Sequence, residues 1–142
     1  NMKIEVNNIN ISTNSKNIQL SGKENELIQA LINILNNSLD AFTSNKINNR
    51  HIDIKTECID SILIITIQDN AGGLKENIIN KVFDLYFTTK HKYMGTGIGL
   101  YMTYQIITKV FKGTISIENS DMQILNKKEK GTLVTINIPI KN

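Results

Sequence analysis

Apolar residues recur in two rhythms along this 142-residue chain. Residues 2–6 and 9–20 alternate apolar and polar positions, the period-two pattern of edge-type strands. Residues 23–42 change rhythm. Leu27, Leu31, Ile34, Leu35, Leu39 and Phe42 recur at three- and four-residue steps and predict one apolar face of a long helix. Residues 45–50 are polar and turn-like, and strands are predicted over 51–57 and 62–68, joined at Asp60-Ser61. Asp69-Asn70-Ala71-Gly72-Gly73 ends the second of these in a glycine-rich turn, and a short helix is predicted over 76–82. Residues 84–96 show no period and predict a mobile loop. A second long helix is predicted over 98–111, with Ile98, Met102, Ile106 and Val110 on one stripe. Strands over 114–118 and 132–138 close the chain, flanking a polar loop.

Strands and helices thus segregate as ββα-ββ-αα-ββ instead of alternating. That order predicts an α+β fold, a two-layer sandwich with one mixed sheet of about five strands covered on one face by about three helices. No repeat or low-complexity linker divides residues 1–142, so one domain is expected.

Composition narrows the function classes. Hydrophobic residues make up 40% and charged residues 20%, which favours a folded domain over a disordered one. The formal charge of +3 comes without any basic block interleaved with aromatics, so nucleic acid is not an expected partner. Lys127-Lys128-Glu129-Lys130 reads as a solvated loop. Cys58, the single cysteine, alternates with Ile52 and Ile54 and is expected to be an inert core residue in a reducing compartment. No apolar run approaches the ~20 residues of a membrane span, so this segment reads as cytoplasmic, whatever anchors the whole protein. Asparagine is so abundant that a single Asn is a weak clue.

Three features carry candidate chemistry. On the first helix Glu26, Gln29, Asn33, Asn36, Asn37 and Asp40 share one polar stripe. A solvated surface explains it. So does a site, because Asn33, Asn37 and Asp40 stack over one spot and an amide oxygen is a hard ligand suited to Mg²⁺. Asp69 leaves the end of a strand, where a carboxylate can accept from an exocyclic amine, or can merely open a turn. GTGIGL (95–100) fits neither the Walker spacing, nor the dinucleotide fingerprint, nor the protein-kinase loop. What remains is a glycine-fronted helix start suited to an anion, or an ordinary loop.

Order along the chain joins these pieces. NILNNSLDAF (33–42), DNAGGL (69–74), VFDLYFTTK (82–90), GTGIGL (95–100) and GTLVTINIP (131–139) resemble, in sequence order, the N, G1, F and G2 boxes and the G3 strand of sensor histidine kinase catalytic domains. The resemblance runs from about residue 17 to 139. It implies the Bergerat α/β sandwich, with ATP and Mg²⁺ as ligands.

Residue by residue, the resemblance implies that Asn37 ligates the metal and that Asn33, one turn earlier, contacts phosphate or a metal-bound water. Asp40 stands where many relatives carry a phosphate-contacting Lys. Asp69 resembles the adenine-reading carboxylate, with Gly73 under the base and Thr132 in the same water network. Gly95, Thr96, Gly97, Gly99 and Leu100 form the phosphate-facing glycine box. Residues 84–96 would be the lid, anchored by Phe83 and Phe87, with Thr88, Thr89 and Lys90 near the phosphates. Ser38 replaces the usual Ala and is expected to be harmless. Ala71 replaces the first glycine of DxGxG.

The resemblance also implies an acceptor histidine, and neither His51 nor His91 has its context. Acceptor and dimerisation helices are therefore expected outside this chain, with a response regulator as the indirect downstream partner. Hydrolysing relatives carry a glutamate where Asn33 stands, so slow hydrolysis is expected. The rival reading is an anti-sigma-type serine kinase or a non-catalytic nucleotide-binding module of the same fold.

Overall fold

The structure is a computed structural model that describes the backbone of residues 2–6 and 9–14 and all atoms of residues 23–84 and 99–140. Six strands form one sheet in the order β1-β2-β3-β4-β6-β5. They are β1 (Met2–Val6), β2 (Ile9–Asn14), β3 (Arg50–Ile59), β4 (Ile62–Asp69), β5 (Thr114–Ile124) and β6 (Lys127–Pro139). Every neighbouring pair is antiparallel except β2 and β3, so the sheet is mixed, and each of the six alternating or apolar segments supplies a strand where a sheet of about five was expected.

Alternation along β4 is strict. Leu63, Ile65, Ile67 and Asp69 are buried, whereas Ile62, Ile64, Thr66 and Gln68 face the other side. Val134, Ile136 and Ile138 of β6 continue the same inner face. Helix α1 (Glu24–Ser44) lies across it and buries Ala30, Ile34, Ser38 and Phe42, with Leu27, Leu31 and Leu35 packed at the margin. Leu39, expected on that face, is exposed; the buried row runs through smaller Ala30 and Ser38, which let helix and sheet approach closely. Arg50 closes the helix end, its guanidinium 5.7 Å from the Phe42 ring and its Nε donating to Ile47 O at 2.8 Å. The short helix α2 spans Glu76–Ile79, and α3 (Gly99–Gln105) packs beside α1.

Three expectations are corrected. The second long helix is not uniform: α3 widens into a π-turn over Ile106–Val110, where Phe111 N–H donates to Ile106 O. Thr103, Ile106 and Ile107 are buried, whereas Met102, expected on the apolar stripe, is 43% exposed. The polar loop before the last strand is instead a long hairpin. β5 and β6 stay paired from Asn119↔Thr132 out to Ile124↔Lys127, with Leu125-Asn126 as the turn and Leu125 at φ 55°. Its polar residues hid this backbone ladder, in which Met122 and Ile124 are buried and Lys127, Lys128 and Lys130 are exposed strand residues. Cys58 is exposed, because burial fades along the inner row of β3 from Ile52 through Ile54 and Thr56 to Cys58 as the strand outruns the helices.

Candidate functional site

β4 delivers Asp69 to the rim of the sheet, still on the core side and only 5% exposed. A buried carboxylate there needs donors, and three separate elements provide them. Ser38 Oγ on α1 donates to Oδ2 at 2.7 Å. Thr132 of β6 donates twice, from Oγ1 to Oδ2 at 3.1 Å and from its backbone N–H to Oδ1 at 3.2 Å. Ala71 N–H in the following turn donates to Oδ1 at 3.0 Å. The carboxylate is therefore fixed in orientation before any ligand arrives.

The turn after Asp69 is held by asparagines. Asn70, also buried, accepts from His51 N–H at 2.8 Å and donates to Asn49 O at 2.6 Å. Asn45, just past α1, donates to Ala71 O at 2.6 Å. Gly72 N–H donates to Lys130 O at 2.9 Å. Glycine is favoured at three points: Gly72 and Gly73 have φ +108° and +74°, and a Cβ on Gly131 would collide with the Asp69 carbonyl oxygen.

Along α1, the expected metal and phosphate residues lie toward α3. Asn37 is half-buried, with its Nδ2 atom buried, and Asp40 is half-buried one turn on. Asn33 Nδ2 donates to Gly99 O at 3.2 Å and its Oδ1 accepts from Gln29 Nε2 at 3.0 Å, so its amide joins α1 to the start of α3. Thr103 Oγ1 bonds the same Gly99 carbonyl at 2.9 Å. A Cβ on Gly99 would meet nothing within 4 Å. Leu100 packs at the core margin, and the Phe83 ring lies 5.6 Å from that of Tyr104. Phe87, Thr88, Thr89, Lys90, His91, Gly95, Thr96 and Gly97 lie outside the described residues.

The structure thus groups Asp69, Gly73 and Thr132 at one end of α1 and Asn33, Gly99 and Leu100 along it. Ser38, Asn45, Asn70 and Asn119 were missed as site-builders. For Ser38 the signal was available: a hydroxyl on the buried face of a helix must find a partner.

Comparison with known proteins supplies the family. Residues 22–142 match the family described as histidine kinase-, DNA gyrase B-, and HSP90-like ATPase. The chain belongs to that family. It is 33% identical over 118 residues to a probable C4-dicarboxylate sensor kinase of Bacillus subtilis, covering 83% of this chain and 20% of the relative. It is 36% identical over 118 residues to sporulation kinase B of the same organism, covering 83% and 24%. The chain therefore spans only a fifth to a quarter of these relatives. The nucleotide-free catalytic domain of histidine kinase ThkA superposes with a TM-score of 0.73 at 25% identity, covering 93% of this chain and 79% of that one. ThkA is also known in complex with the response regulator TrrA.

Proposed function

We propose that this chain is the ATP-binding catalytic domain of a two-component sensor histidine kinase, giving the γ-phosphoryl of Mg-ATP to a histidine on a dimerisation domain beyond these residues. The observation that carries the reading is Asp69, a buried carboxylate held by four donors from three elements at a strand end, in a chain of this ATPase family. A plain turn aspartate has no need of a second-strand threonine; with four donors already in place, an amine on a bound base shares an oxygen with them or displaces one.

In this reading Asp69 accepts from the purine amine, with Gly73 beneath the ring and Thr132 and Ser38 keeping the carboxylate in line. Asn37 offers a neutral amide oxygen to a magnesium ion. The donor type fits: a neutral amide oxygen is a hard ligand, and a magnesium ion held by few protein groups takes its remaining ligands from water and the oxygens of a triphosphate. Magnesium, when bound, supplies charge neutralisation for phosphoryl transfer. Asn33 fixes the start of α3 against α1 and has no basic atom to activate water, which supports transfer over hydrolysis. In this reading Phe83, Phe87, Thr88, Thr89 and Lys90 carry the family's F box and Gly95, Thr96, Gly97 and Gly99 its glycine box, and the phosphate-binding role is assigned to these motifs together with Asp40 and Leu100. A cytoplasmic location and a response regulator downstream follow from the same reading; no described helix is long and apolar enough to cross a membrane.

The test is transfer of radiolabelled γ-phosphoryl in the full-length protein. Acid-labile, base-stable label outside residues 1–142 is expected. Acid-stable label on a serine of a partner would favour the anti-sigma-type reading instead, and fast release of free phosphate would contradict both.

A further inference from the structure

Asn119 lies on β5 opposite Thr132 of β6, at the surface, and its side chain reaches across to the residue that follows the double glycine. Its Oδ1 accepts from Leu74 N–H at 2.7 Å, and its Nδ2 donates to Leu74 O at 2.6 Å. One primary amide therefore pairs with both polar groups of one backbone residue, as a neighbouring strand would. The fit is close: a Cβ on Gly73 would lie 3.0 Å from Asn119 Oδ1 and 3.4 Å from Gly131 O. The opposing Thr132 meanwhile donates twice to Asp69. A single register position of the β5–β6 hairpin thus holds both the carboxylate and the far side of the glycine turn. Beside that turn, among the described residues, lies a cavity of about 450 Å³ lined by Asn45, Gly72, Gly73, Leu74, Asn119 and Lys130 among others.

We propose that Asn119 is a positioning residue for the base end of the nucleotide site, setting where Gly73 and Leu74 stand relative to Asp69. The proposal rests on the nucleotide reading above. Its consequence is selective. Asn119 acts on the turn that would face a purine and on nothing assigned to phosphates, so its loss weakens recognition of the base alone.

The test uses Asn119→Ala and Asn119→Asp, with ATP and magnesium tripolyphosphate each competing against a fluorescent ATP analogue. An ionised Asp at 119 still accepts from Leu74 N–H, but its other oxygen opposes Leu74 O. At about pH 8 both variants are expected to lose roughly fivefold to tenfold in ATP affinity, as two surface hydrogen bonds would imply. Tripolyphosphate affinity stays unchanged, and the melting temperature moves by less than about 4 °C. Unchanged ATP affinity in both variants or an equal loss for tripolyphosphate would each overturn the proposal. A wild-type domain that binds tripolyphosphate but shows no preference for ATP would overturn the nucleotide reading itself.

Discussion

The two ends of α1 are built differently. At the Ser38 end, the Asp69 carboxylate has four donors, and the turn behind it is tied by Asn45, Asn70, Asn119 and Gly131. At the Asn33 end, among the described residues, one 3.2 Å bond from Asn33 and the Thr103 hydroxyl hold the Gly99 carbonyl, and open space surrounds the Gly99 Cβ position. The Asp69 carboxylate is fixed in advance by its four donors. Preorganisation lowers the cost of binding, so under the proposed reading base discrimination falls to the Asp69 end and phosphate binding to the Asn33 end.

The sharpest way to break the contrast is Gly131→Ala. Its methyl would collide with the Asp69 backbone, which no rotamer change can relieve. A loss of about 3 kcal/mol in urea unfolding is expected, at the upper end of overpacking costs. A smaller loss than about 1 kcal/mol would mean that the base end is less tightly fitted than its distances imply. Ser38→Ala comes next. It removes a buried hydrogen bond to a carboxylate, and a stability loss of about 1.5 kcal/mol is expected. Three donors remain on Asp69, so preference for adenine should survive; its disappearance would show that Ser38 alone aims the carboxylate. Asn33→Ala is the mildest, costing about 0.5–1 kcal/mol, because the bond it loses is partly exposed. Calorimetry should show adenosine binding unaltered and triphosphate binding weakened. An equal loss of both would contradict the division between the two ends.

Much of this architecture was legible in the sequence. The period change at residue 23 marked α1, the mostly apolar run ending before Asp69 marked β4, and Gly131-Thr132 fell where strand and glycine motif meet. What was illegible depended on long-range partners. Ser38 looked inert because its partner lies 31 residues away, and Asn119 was lost in a stretch taken for a loop, 45 residues from Leu74. The chain's abundance of asparagine hid the three, Asn45, Asn70 and Asn119, whose side chains hold the turn. The π-turn was also invisible, since hydrophobic spacing assumes 3.6 residues per turn and cannot register a local change of pitch. Cys58 misled for a related reason: alternation reports which face a residue takes, not how far along the strand the helices extend.

The central claim is that Asp69 reads the amino group of a purine. Replacing it by Asn preserves the shape. The amide oxygen can still accept from Ala71 and Thr132 N–H, while the Ser38 and Thr132 hydroxyls can turn to accept from the new NH₂. Affinities for ATP and inosine triphosphate, whose base carries a carbonyl where adenine carries the amine, should then be measured on the wild type and Asp69→Asn. The wild type is expected to favour ATP by about tenfold or more, and Asp69→Asn to abolish or invert that preference with the fold intact. Equal wild-type affinities, or a preference for ATP that survives Asp69→Asn, would contradict the account.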